Sequence, residues 1–422
     1  MPGQPSCRRI DPITYSRRSV LLGGSLGLAA VQLVLGPATA ALAEPPAQEG
    51  RWRLVWRATL PEPVWAPLAA AGDVLLAFLR NGIVARTLAR GQPLWERALD
   101  LSPTLGCACL APPTQVADAV YAVAEGNRLE ALDVRTGARR WARPIGEIII
   151  SRPVADGRGM ALVVAIEGMR TLLTVLDTRT GRLRWQREVP DPAVTEPLVL
   201  QDVIYLLDGR GVLTAYTAAD GRPRWEAGGL APGETLTAAQ FGRETVVLRS
   251  EQGLLALDLA SGEPRWAVPR EDFPGTPIVA GDVAVTATLG RRILGLDLAT
   301  GSVRWEQSND AAILETPQAL GDLVLLSDIN GVVFALGQGD GTLRWQARLG
   351  WVRPPLTALD GRLYAIAAEG RAYVLDLSRG EIATMAPFPG PVPLGGLVVD
   401  GTVFAAVDER QGSTIYALRP PL

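Results

Sequence analysis

Beyond residue 50 the chain alternates short apolar runs with Gly-, Asp- and Pro-rich breaks. Apolar residues alternate or run in fours and fives, the pattern of half-buried strands joined by hairpins. Residues 276–287 predict two short strands around Gly281-Asp282; residues 293–297 a third, Ala299-Thr300-Gly301 a turn, and residues 303–306 a fourth. The same grammar returns at 118–133, 202–216, 322–336 and 361–376. No long stripe of 3.6 period follows residue 50, so little helix is expected.

The unit carries a signature, Gly-x-x-x-Trp, at Gly91–Trp95, Gly137–Trp141, Gly181–Trp185, Gly221–Trp225, Gly262–Trp266, Gly301–Trp305 and Gly341–Trp345. Successive tryptophans are 46, 44, 40, 41, 39 and 40 residues apart. A period near 40 points to a β-propeller or another repeat array. Trp56 resembles a fourth strand without three before it, and residues 397–418 resemble three strands without a fourth. The N-terminal strand is therefore expected to complete the last blade and remove the free edges. Gly380–Thr384 reads as a worn copy in which Thr384 stands where tryptophan belongs. The expected fold is an all-β propeller of four-stranded blades. Counting outer strands gives nine blades; the rarity of large rings favours eight, with one irregular unit.

Each repeated residue has a structural role to fill. The turn glycine takes a positive φ. Asp133, Asp177, Asp258, Asp297 and Asp376, closing the third strand, can accept backbone N–H groups. The outer-strand indole, Trp56 included, can bury a flat face on the neighbouring blade. Arg140, Arg184, Arg224, Arg265, Arg304 and Arg344 precede a tryptophan. Strand alternation turns them away from it, toward a solvated rim or an aromatic stack; a ring for an anionic polymer is the sharper alternative. Chemistry is then sought in residues that break the repeat.

Composition narrows that search. The chain has no histidine and no lysine. This excludes His-based nucleophile pairs, His-ligated metals and Lys Schiff bases. Residues 1–43 carry four arginines against Asp11, so the chain's net charge of −3 leaves −6 on the remainder. An acidic body argues against nucleic acid.

Residues 1–43 read as an export signal. Arg17-Arg18 is followed by an uncharged run ending in Ala41-Leu42-Ala43. The paired arginines resemble a twin-arginine signal, with Val20 where Phe is commoner. The alternatives are ordinary secretion or a retained anchor, since residues 20–43 are long enough to span a bilayer. The expected location is periplasmic, cell-surface or extracellular, with membrane contact only through an uncleaved signal.

Ala131–Trp141, with Asp133, Thr136 and Gly137, resembles the tryptophan-docking repeat of pyrroloquinoline-quinone (PQQ)-type propellers, as do residues 257–266 and 296–305. The resemblance covers about residues 51–418 and implies the fold. The family holds quinone-dependent alcohol dehydrogenases and non-catalytic propellers of outer-membrane barrel assembly. Family dehydrogenases carry inserted segments, an adjacent Cys–Cys disulfide and a Ca²⁺ held by Glu, Asn and Asp. Here the repeats run nearly back to back and no such pair or grouping is found.

Cys107 and Cys109, at i and i+2, point to one face of a strand. They are read as small buried residues, a strained disulfide, or a redox or soft-metal pair. Trp65 and Trp351 lie outside the docking positions and are candidate partner contacts, with core packing the alternative. Loops 111–116 and 388–396 also break the repeat. The expected protein is an exported, monomeric, non-catalytic propeller that binds a protein in the cell envelope, with no cofactor. The alternatives are a PQQ–Ca²⁺ or metal-dependent oxidoreductase and a binder of polysaccharide or small ligands.

Overall fold

Segments this short bury an apolar face only by pairing with their sequence neighbours, and each group of four does so as an antiparallel meander. The computed structural model describes residues 52–99 and 113–421 apart from short breaks, the longest 190–196 and 229–237. The described residues form nine sheets and no helix. In chain order they are blades 1 (64–98), 2 (114–144), 3 (148–189), 4 (198–227), 5 (238–269), 6 (278–308), 7 (318–348) and 8 (357–387), then blade 9 (396–419 with 53–59). Eight sheets have four strands. Blade 3 is the irregular unit: its first strand is split into Ile148–Ile149 and Val154–Ala155, both paired with Met160–Glu167. It still takes a place in the ring.

Blade 9 is built from both ends of the repeat region. Arg53–Thr59 pairs antiparallel with Gly412–Arg419. The Leu60 N–H donates to Ser413 O at 2.8 Å, and the buried Ser413 hydroxyl accepts from the Val64 N–H at 3.0 Å. First strands of successive blades touch one another, which places them on the inner side of the ring. One hydrophobic cluster lies between each pair of neighbours: Leu76 and Val120 join blades 1 and 2, Val285 and Val324 join blades 6 and 7, and Phe404 and Leu75 join blades 9 and 1.

The signature explains how blades lock. Each indole lies over the glycine of the next blade: Trp56 on Gly91, Trp95 on Gly137, Trp141 on Gly181, Trp185 on Gly221, Trp225 on Gly262, Trp266 on Gly301, Trp305 on Gly341 and Trp345 on Gly380. A Cβ on Gly137 would stand 2.5 Å from the Trp95 ring, and its φ of 66° already disfavours a side chain. Two demands, close approach and left-handed backbone, thus fall on one residue. Each indole N–H also donates to a carbonyl of the next blade, as Trp95 to Val134 O at 2.7 Å and Trp305 to Gln338 O at 3.1 Å. This satisfies a donor that burial would otherwise leave unpaired.

Blades 8 and 9 meet differently. Thr384 holds the tryptophan position of blade 8. Trp52, just ahead of the closing strand, reaches back and donates its indole N–H to the Thr384 hydroxyl at 2.9 Å. It packs on the cluster of Tyr364, Phe388 and Val403 that joins these blades.

Candidate functional site

The repeated arginines are the first charged groups to place. In seven blades the residue before the tryptophan is a β-bulge, Leu94 in blade 1 and an arginine in the other six. In blade 2, for example, Ala131 pairs with Trp141 and Leu132 with Arg139, leaving Arg140 as the extra residue. The same shift frees Arg184, Arg224, Arg265, Arg304 and Arg344. A bulge re-aims a side chain; the six arginines are exposed, as a solvated rim requires, and each is also engaged by a side chain of its own blade. Arg140 bonds Asp118 in the first hairpin turn at 2.6 Å and Asp133 in the second at 2.7 Å. Arg304 holds Asp282 and Asp297 alike, at 2.7 and 2.6 Å.

The aspartates are equally committed. One Asp133 oxygen accepts the N–H groups of Arg135 and Thr136 at 3.0 and 2.9 Å, and the other takes Arg140. The arginine, with the Thr136 bonds adding to it, lowers the Asp133 carboxyl to about 2. Arg265 first and the Ser261 bonds second do the same for Asp258, and Arg304 then Thr300 for Asp297, both to about 2. Such a carboxylate is a poor general base at neutral pH. In blades 2, 5 and 6 the arginine joins acidic side chains of two turns, and in blade 4 it joins Asp202 of one turn to Thr217 of the other.

Other marked residues fall in different places. Trp65 is half buried against the core between blades 1 and 2. Its indole N–H is buried with no acceptor among the described residues. Trp351, in the link between blades 7 and 8, is 48% exposed, and its backbone N–H donates to the Glu369 carboxylate. Leu289 and Ile329, also exposed, occupy the turns between second and third strands of blades 6 and 7. In a meander those turns and the interblade links emerge on one face. Ile329 N–H bonds Ala312 O and Ala368 N–H bonds Trp351 O, each across such a pair. Leu289, Ile329 and Trp351 thus share a face over blades 6–8. Cys107, Cys109 and residues 1–43, expected to be an export signal, lie outside the described residues.

The opposite face carries the arginine sets and a cleft of about 670 Å³ between blades 4 and 5, lined by Asp202, Tyr205, Arg224, Arg243 and Asp258 among others. Arg224 bonds Asp202 there, and Thr217 replaces the aspartate that other blades place after the third strand. Inner strands offer Gln115, Val199, Val279, Ala319 and Ala358 at their midpoints. Among the described residues no three Cys, Asp or Glu side chains converge as metal ligands.

The fold and its indole locks define a PQQ-like β-propeller. A family profile described as "Outer membrane protein assembly factor BamB" matches residues 47–148, 146–274 and 251–391, and the chain belongs to that family. It is 25% identical over 325 residues to the outer membrane protein assembly factor BamB of Burkholderia pseudomallei, covering 72% of this chain and 81% of that one. It is 31% identical over 182 residues to the serine/threonine-protein kinase AfsK of Streptomyces coelicolor, covering 40% of this chain but only 22% of the kinase. Among solved structures, BamB from Moraxella catarrhalis superposes with a TM-score of 0.52 at 19% identity, over 73% of this chain and 95% of that one. The quinohemoprotein alcohol dehydrogenase of Comamonas testosteroni gives 0.55 at 16% identity, over 88% and 78%. Both structural likenesses are of fold. Membership of the BamB family supports a non-catalytic scaffold at family level.

Proposed function

We propose that this chain is an exported, non-catalytic propeller that binds a protein partner in the cell envelope. The observation that carries the reading is the BamB family match, which runs across successive repeats from residue 47 to 391. The chemistry of the described residues supports it. Repeated charged groups are spent on joining turns within blades, and inner-strand midpoints carry amide or aliphatic side chains. The exposed Leu289, Ile329 and Trp351 offer a rigid apolar face of the kind protein contacts use.

The test is site-specific photocrosslinking in the native envelope from Ile329 and Trp351, with Arg222 on the outer rim as control. A discrete protein adduct from the first two positions and not the third is expected. No adduct from any position, together with no protein recovered by affinity purification from solubilised envelope, sinks the reading. Adding PQQ with Ca²⁺ should leave the absorbance and thermal midpoint unchanged; a raised midpoint would reinstate the oxidoreductase.

A further inference from the structure

Blades 1 and 2 meet at a place where the repeat is broken by charge. Glu130 lies in the third strand of blade 2, opposite Ala142. Its equivalents in other regular blades are uncharged, Val84 in blade 1 and Leu294 in blade 6 among them. Glu130 is only 2% exposed, although an apolar residue packs well at this position elsewhere. Burying a carboxylate is costly unless it is paired. One guanidinium suffices, and Arg97 of blade 1 supplies it at 2.6 Å.

Two more arginines converge on the same carboxylate. Arg128 and Arg139 each approach the other oxygen at 3.4 Å, and both side chains are about half exposed. No second carboxylate among the described residues pairs with any of the three. One negative charge thus stands against three positive ones, an excess of two. The Nε–H groups of Arg97 and Arg128 are buried and without acceptors. Two uncompensated charges on guanidiniums about half exposed at a surface describe an oxyanion receptor.

We propose that Arg97, Arg128 and Arg139, set around Glu130, bind a phosphate-monoester group, free or carried on a lipid headgroup. Charge decides the class. A carboxylate leaves one positive charge uncompensated, whereas a phosphate monoester brings about −1.5 to −2 near pH 7 and several acceptor oxygens. Glu130 fixes the guanidiniums in advance, which lowers the ordering cost of binding. The site lies on the outer half of the blade 1–2 interface, on strands Pro93–Ala98, Arg128–Asp133 and Arg139–Pro144, and is independent of the scaffold reading.

The experiment titrates inorganic phosphate into the full chain at constant ionic strength, read by ³¹P line broadening and by the thermal midpoint against chloride. Saturable broadening and a raised midpoint are expected. Arg128→Gln with Arg139→Gln, both partly exposed, should keep the circular dichroism spectrum and weaken binding by about tenfold or more. Arg222→Gln on the blade 4 rim should change nothing. Glu130→Gln keeps an acceptor that holds Arg97 in place and raises the excess to three, so it should bind more tightly; a purely structural cluster predicts no gain. Flotation with vesicles containing phosphatidic acid separates the sources. Retention competed by phosphate assigns a headgroup; phosphate binding without retention assigns the free group. The proposal fails if phosphate acts no differently from chloride, if the double variant binds like the parent, or if an oligoglutamate peptide competes at equal concentration.

Discussion

Eight of the blade junctions use one device and the ninth uses another. At the eight, an indole covers a glycine and donates to a carbonyl one blade ahead. Between blades 8 and 9 the indole comes from Trp52 and points one blade back, to a hydroxyl. The repeated junction is made within continuous chain. The exceptional one lies beside the sheet where residues 53–59 meet residues 412–419. A ring needs its joint closed but does not need it closed by the repeat, so Thr384 suffices where the other eight junctions use a tryptophan.

This comparison can be broken in order of expected effect. Removing residues 44–59 should cost the most. It exposes the edge of Gly412–Arg419 and both clusters beside it, and loss of a monodisperse folded species in size-exclusion chromatography is expected. Trp305→Ala should cost about 3–5 kcal/mol, as for a large aromatic removed from a packed site, read by denaturant unfolding. Gly137→Ala should follow at about 2 kcal/mol or more, from left-handed backbone plus ring overlap. Trp52→Ala should cost less, about 1–2 kcal/mol, since a half-buried ring and one hydrogen bond are lost. If Trp52→Ala matched Trp305→Ala, the two kinds of junction would be equivalent in strength and the contrast would be wrong.

The smallest effect is the response to acid. Asp133, Asp258 and Asp297 have folded values of about 2 against an ordinary value near 4. A lowered folded value means that their contribution is fully present above about pH 4–5 and is lost as pH falls toward 2. The thermal midpoint should decline over that window. Arg140→Ala should flatten the decline by lowering the midpoint at pH 7 toward its acid value, and by a small amount, because such partly exposed pairs are weak.

The regular features were legible because each recurs at a fixed spacing. Gly91 to Gly341 and Trp95 to Trp345 announced the blades, and Trp56 announced the closing strand. The arginines are exposed as expected of a rim, but their pairing with the turn aspartates was missed. Asp133 and Arg140, Asp177 and Arg184, Asp258 and Arg265, and Asp297 and Arg304 are each seven residues apart. That constant interval was the available signal. Trp52 has no repeated counterpart, so its reach to Thr384, 332 residues away, left no periodic trace. Glu130 was visible as a charge in an apolar run, but the partner that fixes its meaning, Arg97, lies on another blade.

The seam of blade 9 also sets a timetable. Thr59 and Thr414 stand side by side in the finished sheet, 355 residues apart in the chain. At about 5–20 residues per second, the first strand made waits roughly 20–70 s for its partner to leave the ribosome. Until then it is an unpaired edge, and the circle closes only once residues 412–419 have emerged.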